Sequence, residues 1–440
     1  PSSPSEAKKF IKLAFEISEQ FDTPVLFRMT TRVAHTKENV EIGQRQEIEN
    51  KPFEKNPQKY VMVPANAYKK HILLEEKLIK LQEYSEKTEL NKIEINDKEL
   101  GFITDSVTYL YVKETYPEAS VLKLGMTFPF PDKKIKEFAS QVKKIVAAEE
   151  NEPFIEEHLL QMGIRCTGKH YTYRVGELRP ESIKDIVENK PKTQYPGGSR
   201  RPVLCPGCPH RAVFVALRKT KVIVSGDIGC YTLGSLPPLA ALHTTICMGA
   251  SVTIFDSLSK VLGNDKVVAV IGDSTFVHSG VTGLINAAYN KAKGLVIILD
   301  NGTTAMTGAQ PNPSTGVTAK NEQTKRLDLE ALCRACGADN VEVIDSSCKS
   351  IEEKIKEYTA QNKLSVLIVR YALCKMIDRT KQTVPLFHAD KCKKCYMCIS
   401  VDCPAITKDE LGNVKLNYNL CAGCNVCVEM CKFGGLEKNK

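Results

Sequence analysis

Eight of the seventeen cysteines in this 440-residue chain lie within residues 392–431. Residues 392–404 read CKKCYMCISVDCP, and residues 421–431 read CAGCNVCVEMC. In each run three thiols are closely spaced and a fourth follows, so one loop can present three thiolates to three corners of an iron–sulfur cubane. The fourth cysteine of each run then ligates the cluster of the other run. This spacing predicts two four-iron four-sulfur clusters that carry electrons.

Each predicted cluster takes three ligands from one run and its fourth from the other. The first is predicted on Cys392, Cys395, Cys398 and Cys431, and the second on Cys421, Cys424, Cys427 and Cys403. Two details depart from the usual runs, although neither removes a ligand. Four residues, ISVD, precede Cys403 instead of three, and Lys432 stands where proline usually follows. Zinc knuckles are the alternative, but zinc uses ligands in pairs rather than triplets with a crossed-over fourth.

Residues 201–375 alternate strand-like and helix-like segments. The strand-like segments are residues 221–227, 266–273, 294–301, 341–345 and 364–371. Amphipathic stretches, among them 281–292 and 350–361, lie between these apolar runs. This alternation predicts a doubly wound α/β fold with a parallel sheet, whose ligands bind at the carboxyl ends of the strands.

Polar residues follow two of the predicted strands, in the segments GDS (272–274) and DNGT (300–303). Asp273 and Asn301 are 28 positions apart, which is the length of one strand–helix–strand unit. Both side chains should therefore reach the same crevice, where Gly272 permits close backbone approach. A carboxylate, an amide and a backbone carbonyl suit an octahedral Mg²⁺ that shares phosphate oxygens. A turn followed by a helix cap is the simpler alternative.

These segments resemble the thiamine diphosphate motif G-D-G…N-N, with Ser274 replacing the third glycine and Asp300 the first asparagine. Five further motifs occur in order: CPGCPHRA (205–212), GDIGCYTLG (226–234), TTICMGASV (244–252), GDSTFVHSG (272–280) and AMTGAQPNP (305–313). Together with the two cysteine runs, they resemble the alpha subunits of the indolepyruvate ferredoxin oxidoreductase family. That family consists of thiamine-dependent 2-oxoacid:ferredoxin oxidoreductases, and the resemblance covers most of the chain.

The resemblance implies roles for individual residues. Asp273 and Asn301 would bind Mg²⁺ through their side chains, and Thr303 through its carbonyl oxygen. Further residues of the cofactor site would be Gly229, Cys247, Met248, Gly249, Gly272, Ser274, Thr275 and Thr304. His278, which follows the GDS turn, is a candidate catalytic residue that could contact diphosphate or substrate, and a structural role for it is equally open.

The resemblance also implies a use for the CPGC segment (205–208). In relatives, a cluster beside the thiamine is held by a C-x2-C pair, a cysteine in a GIGC turn and one near the end of the domain. The matching residues, and hence the ligands of a third four-iron four-sulfur cluster, are Cys205, Cys208, Cys230 and Cys374. Two alternatives stay open: a zinc site that includes Cys205, Cys208 and His210, or cysteines without metal beside the diphosphate.

By resemblance the chain has five parts. They are the tail of a pyrimidine-binding domain (1–45), a helical linker (46–100), a transketolase carboxyl-terminal-like domain (101–190), a thiamine diphosphate-binding domain (191–385) and a ferredoxin domain (386–440). We expect the start of the first domain, with the family's ring-activating glutamate, to be missing. PVLFRMTT (24–31) is predicted to form a strand. Adjacent Glu149 and Glu150 face opposite ways on a strand and so cannot act as a catalytic pair.

Composition narrows the classes of partner. The formal net charge is +9, but basic residues are interspersed with glutamates, so no nucleic-acid-binding arm is predicted. No apolar run approaches the length of a bilayer span, and the chain does not open with a secretory signal pattern. We therefore expect a cytoplasmic protein that binds neither nucleic acid nor membrane.

The implied reaction is oxidative decarboxylation of an aryl 2-oxoacid such as indolepyruvate with coenzyme A. The products would be aryl-acetyl-CoA, CO₂ and reduced ferredoxin, and a smaller beta subunit would be required. Pyruvate or phenylglyoxylate is an alternative substrate, because one sequence does not identify the pocket. A non-catalytic electron-transfer subunit is an alternative of another class, against which the intact Asp273, Asn301 and Thr303 argue.

Overall fold

A computed structural model describes residues 1–49, 52–193, 201–262, 266–345, 347–371 and 383–439. The chain divides into two compact units, Pro1–Gly198 and Ser199–Lys440. Within the described residues, no helix combines the length and the apolar character needed to cross a membrane.

The first unit is an α/β layer built on a four-stranded sheet of order β1-β3-β2-β4. β1 pairs antiparallel with β3, whereas β2 runs parallel to both β3 and β4. The strands are β1 (Asn91–Glu94), β2 (Asp97–Asp105), β3 (Ala119–Leu124) and β4 (Lys144–Ala148). The helices are α1 (Pro4–Phe21), α2 (Thr31–His35), α3 (Pro57–Tyr60), α4 (Pro64–Lys87), α5 (Thr108–Thr115), α6 (Asp132–Gln141), α7 (Phe154–Gln161) and α8 (Pro180–Val187).

Two expectations for this unit differ from the structure. The strand predicted at residues 24–31 is wrong, because residues 23–30 form no regular element and α2 begins at Thr31. β-propensity alone does not make a strand, which needs a neighbour to accept its backbone hydrogen bonds, and Leu26 is 93% exposed. β1 and the start of β2 also lie within residues 46–100, where the sequence predicts a linker. The long helix predicted there is α4.

The second unit contains the predicted doubly wound sheet. Five parallel strands lie in the order β5-β6-β7-β9-β8. They are β5 (Ile223–Ser225), β6 (Val267–Gly272), β7 (Gly294–Asp300), β8 (Asn340–Ile344) and β9 (Leu364–Arg370), each within a segment that the sequence predicts as strand except for Asn340 at the start of β8. Every residue of β6 and β7 is buried. Their continuous apolar character is that of parallel strands covered on both faces.

Helices cover both faces of this sheet. α9 (His210–Thr220) and α14 (Cys348–Thr359) contribute to one core, whereas α10 (Ala250–Val261), α12 (Val281–Tyr289) and α13 (Leu329–Ala335) contribute to the other. The short helix α11 (Asp273–Thr275) continues into a π-helical turn, Phe276–Gly280, before α12 begins. A 3-10 turn, Cys230–Ser235, follows β5.

Residues 383–439, the carboxyl-terminal region, form a small layer of short elements in the same unit. β10 (Leu386–Phe387) pairs antiparallel with β13 (Leu436–Glu437), and β11 (Ile406–Lys408) pairs antiparallel with β12 (Val414–Leu416). A 3-10 turn, Ile399–Val401, and helix α15 (Val426–Glu429) complete it. The core of this region joins Ile406, Val414 and Leu436 to Cys398.

Candidate functional site

The structure brings Asp273 and Asn301 to one edge of the second sheet. β6 and β7 are adjacent and parallel, so the residues that follow them meet at the same edge. Asp273 is 2% exposed, Asn301 6% and Thr303 3%, although each carries a polar side chain. Buried polar groups need partners, and these groups face one another.

The polar atoms of these three residues that face one another have a spacing that suits a metal ion. The terminal amide atom of Asn301 that faces the edge lies 3.1 Å from Oδ1 of Asp273 and 2.9 Å from the carbonyl oxygen of Thr303. If that atom is nitrogen, it donates to both oxygens. If it is oxygen, its distances to the other two oxygens are close to the separation of about 2.9 Å between neighbouring ligands of an octahedral Mg²⁺. The residues therefore fit Mg²⁺ by chemistry and by spacing.

Ser314 orients the Asp273 carboxylate. Its hydroxyl donates to Oδ2 of Asp273 at 3.1 Å and lies 2.6 Å from Oδ1 of Asn312, which leaves Oδ1 of Asp273 directed at Asn301. Burial, with the negative charge of Asp300, raises the pKa of Asp273 to about 6. Asp300 itself accepts from Nε of Arg370 at 2.8 Å. The residue in place of the motif's first asparagine is thus engaged in an ion pair.

Asp227 is a site residue that the sequence reasoning missed. Its fully buried carboxylate accepts from the backbone N–H groups of Gly249 and Ser251, each at 2.9 Å, and of Ile228 at 2.8 Å. It thereby fixes the start of α10 and holds Gly249 at φ +88°, a conformation that favours glycine. The sequence signal was an acid close to the end of a strand, in GDIGC, but two of its three partners, Gly249 and Ser251, lie more than twenty residues away.

The loops after β5, β6 and β7 are also tied together by side chains. Oγ of Ser274 and Oγ1 of Thr304 lie 2.7 Å apart. The hydroxyl of Tyr231, another residue missed from sequence, lies 2.9 Å from Oγ1 of Thr275 and 2.8 Å from the carbonyl oxygen of Ile228. The Tyr231 ring fills the space over Gly229 and Gly272, where an added Cβ would come within 2.4 and 2.5 Å of it.

Three predicted site residues are exposed instead. Cys247 and Met248 lie on the surface of the loop before Gly249, and Met248 is 45% exposed. His278 is also exposed, on the π-helical turn that follows the Asp273 loop. π-helical turns occur often at functional sites. Exposure leaves these side chains accessible to a ligand and does not assign them a role.

The CPGC segment precedes α9 and packs on one core of the second unit. Cys208 is buried in that core, Cys230 and Tyr371 pack against it, and Cys205 is exposed. Cys374, the fourth predicted ligand, lies outside the described residues. The His210 ring stands between Tyr231 and Tyr371, at 6.0 Å from each ring centroid. Burial and Arg211 lower the pKa of His210 to about 4.

The eight cysteines of the carboxyl-terminal region line two separate cavities. The first is lined by Cys392, Cys395, Cys398 and Cys431, and the second by Cys403, Cys421, Cys424 and Cys427. Each cavity thus has the set of thiols that the crossed-over pattern predicts. Across the described part of the chain, no group of three or more His, Cys, Asp or Glu side chains forms a site for a metal ion. The cysteines border a space rather than closing on one point.

The pKa shifts of the cysteines also divide them into the same two sets. Burial and the neighbouring thiols of Cys431, Cys392 and Cys395 raise the pKa of Cys398 to about 11. Burial, with Cys424, Cys403 and Cys421, likewise raises the pKa of the Cys427 thiol. Coordination to iron would reverse these shifts, because a metal deprotonates the thiol that binds it.

Comparison with known proteins relates this site to a family. Residues 227–369 match the family described as "Thiamine pyrophosphate enzyme, C-terminal TPP binding domain". Those residues include Asp227, Gly249, Asp273, Asn301 and Ser314.

Three curated proteins, each named indolepyruvate oxidoreductase subunit IorA, are similar to the chain. The protein from Archaeoglobus fulgidus is 36% identical, with coverage of 100% of this chain and 76% of the relative. That from Thermococcus kodakarensis is 38% identical, covering 100% and 77%. That from Methanothermobacter thermautotrophicus is 34% identical, covering 99% and 76%. The chain therefore belongs to the family of the indolepyruvate oxidoreductase subunit IorA.

Proposed function

We propose that this chain is the catalytic and electron-carrying subunit of an oxidoreductase that decarboxylates aryl 2-oxoacids of the indolepyruvate type. In the proposed reaction the 2-oxoacid loses CO₂ and two electrons, and its acyl group passes to the sulfur of coenzyme A with release of the thiol proton. Ferredoxin takes up the electrons singly. The names of the relatives support the oxidation of a 2-oxoacid by a complex of subunits.

One observation carries the proposal. A thiamine-type sheet edge, with a fitting oxygen set, and two four-cysteine cavities belong to the same compact unit, Ser199–Lys440. Such a pairing of sites suits a reaction that removes two electrons from an organic substrate and passes them on one at a time. An enzyme that passed both electrons to a hydride acceptor in one step would need no iron–sulfur cluster in either cavity.

Within the proposed site the chain's own residues position the cofactor. Asp273, Asn301 and Thr303 would hold Mg²⁺ against the diphosphate, and Ser314 would keep the Asp273 carboxylate turned toward the ion. Asp227 would hold the Gly249 loop and the amino-terminal end of α10 in place. Thiamine diphosphate, when bound, supplies the electron sink that permits decarboxylation.

The clusters are proposed from the two cysteine cavities. Two four-iron four-sulfur clusters would carry electrons toward ferredoxin. A third would require Cys205, Cys208 and Cys230 with Cys374. Iron analysis separates these cases, because about twelve iron atoms per chain correspond to three clusters and about eight to two.

The test uses the anaerobically purified complex with its beta subunit and the full-length chain. Thiamine, magnesium, iron and sulfide contents are measured first, and ferredoxin reduction is then followed with indolepyruvate, phenylglyoxylate and pyruvate, with and without coenzyme A. Fast reduction with the aryl 2-oxoacid supports the proposal. Preference for pyruvate would correct the substrate, and a complex with iron but no thiamine would make the chain an electron-transfer subunit.

A further inference from the structure

Arg211 is a fully buried cation at the start of α9, three residues after the CPGC segment. Its guanidinium donates to main-chain carbonyl oxygens of two segments that are far apart in the sequence. On one side the acceptors are Leu204 at 2.6 Å and Cys205 at 2.5 Å. On the other they are Val401 at 3.2 Å and Asp402 at 2.8 Å. One side chain thus joins the CPGC segment to the carboxyl-terminal region.

The part of the carboxyl-terminal region that Arg211 contacts is the unusual ISVD spacer, residues 399–402. The 3-10 turn is followed directly by Asp402, whose φ of +61° is uncommon for a residue other than glycine. The Asp402 carboxylate pairs with Arg201 at 2.9 Å, whereas its carbonyl oxygen accepts from Arg211. This spacer, which is one residue longer than usual, therefore lies against the buried cation.

In the part of the chain that the structure describes, Arg211 has no anion among its hydrogen-bond partners. Within the described residues, its acceptors are main-chain carbonyl oxygens of residues 204, 205, 401 and 402, and none is a carboxylate. A buried charge is costly unless an opposite charge compensates it, and a guanidinium does not lose its proton in proteins. An anion close to Arg211 would satisfy this requirement.

Arg211 lines the cavity of Cys403, Cys421, Cys424 and Cys427, together with Gly207 of the CPGC segment. A four-iron four-sulfur cluster held by four thiolates carries net negative charge and gains one more negative charge on reduction. Among the described residues that line the other cavity, around Cys392, the one cation is the exposed Lys393.

We propose that Arg211 is the counter-ion of the cluster held by Cys403, Cys421, Cys424 and Cys427, and that it selectively raises the reduction potential of that cluster. A cation stabilises the more negative, reduced form more strongly than the oxidised form. Burial keeps water from screening this effect, and net charge and solvent exposure are among the factors that set cluster potentials. The inference rests on the proposed function, because it requires the clusters to be present.

The test compares Arg211→Met, which removes the charge at similar length, with Arg211→Lys, which retains it. Arg218→Met is the matched control, because Arg218 lies on the same helix and donates to the carbonyl oxygen of Pro238 at 2.6 Å and to Oγ of Ser400 at 3.1 Å. It thus contacts the same spacer, but it is not among the described residues that line the cavity. Each complex is titrated anaerobically with reductant while its clusters are followed by electron paramagnetic resonance.

The expected result is a lower potential for one cluster in Arg211→Met, by at least a tenfold change in its reduction equilibrium, about 59 mV for one electron. The shifted signal should be the one that Cys421→Ser removes, and the other signals should stay at wild-type potentials. Arg211→Lys and Arg218→Met should both resemble the wild type. Unchanged potentials, a common shift of all clusters or an equal shift in Arg218→Met would overturn the inference.

If Arg211→Met loses the cluster, the Arg211→Lys variant shows whether the missing charge or the missing hydrogen bonds caused the loss. If Arg211→Lys keeps its iron and its potential, charge is what the cluster requires. If it also loses iron, the forked hydrogen bonding is what matters and the counter-ion role is refuted. A wild-type complex without cluster signals would refute the proposed clusters themselves, whereas intact clusters with unshifted potentials would refute only the role of Arg211.

Discussion

Glu149 should make the first unit less stable as pH rises through neutrality. The residue follows β4, and its carboxylate accepts from the backbone N–H groups of Ile155 at 2.8 Å and of Glu156 at 2.9 Å, at the start of α7. It is 4% exposed, and burial raises its pKa from 4.5 to about 7 against the opposing effect of these hydrogen bonds. The structure thus assigns helix capping to a residue that resembles half of a catalytic acid pair.

The direction of this pH dependence follows from which state, folded or unfolded, binds the proton of Glu149 more tightly. The folded pKa lies above the unfolded one, so the folded state holds the proton over a pH range in which the unfolded state has lost it. The contribution of Glu149 is therefore present at low pH and disappears as pH rises through 7. With pKa values of 4.5 and about 7, the free energy of unfolding falls by about 2.5 kcal/mol between pH 5 and pH 8.

The assay is urea unfolding of the full-length protein at pH 5 and pH 8, followed by circular dichroism. The Glu149→Gln variant keeps an acceptor for α7 and has no proton to exchange, so its pH dependence should be weaker than that of the wild type by about 2.5 kcal/mol. Glu152→Gln, at an exposed position of the same loop, should behave as the wild type. Equal pH dependence in the wild type and Glu149→Gln would refute the reasoning.

Three further predictions concern the second unit. Asp273→Ala should weaken Mg²⁺-dependent thiamine diphosphate binding at least a hundredfold, measured by calorimetry, because it removes the charged ligand of the proposed ion; binding that stays tight would place the metal elsewhere. Gly249→Ala should destabilise the protein by about 1 to 3 kcal/mol, because alanine is strained at φ +88° and its Cβ would come within 2.7 Å of Ser279. An unchanged melting temperature of this variant would contradict the prediction. Cys403→Ser and Cys421→Ser should each remove about four iron atoms and the same resonance signal, because both line one cavity; loss of two different signals would show that the ligand sets are wrong.

The sequence alone determined the features that depend on local spacing. Apolar runs of strand length alternate with amphipathic segments, and this periodicity identified β5 to β9 before any contact was known. Polar residues at the ends of β6 and β7 marked the edge at which Asp273 and Asn301 meet, because parallel strands end on the same side. The spacing of eight cysteines also divided them into two sets, since a loop that holds three thiolates leaves the fourth to the other run.

Only the tertiary structure decided which distant groups meet. Asp227 caps a helix that begins more than twenty residues later, and Arg211 contacts carbonyl oxygens of residues 401 and 402. No periodicity encodes such contacts, because they depend on how loops of irregular conformation cross after the sheet has formed. The same holds for the predicted strand at residues 24–31, which has strand-forming residues but no paired neighbour. Local propensity determines which segments can form helices and strands. Packing determines which distant groups contact a buried charge such as that of Asp227 or Arg211.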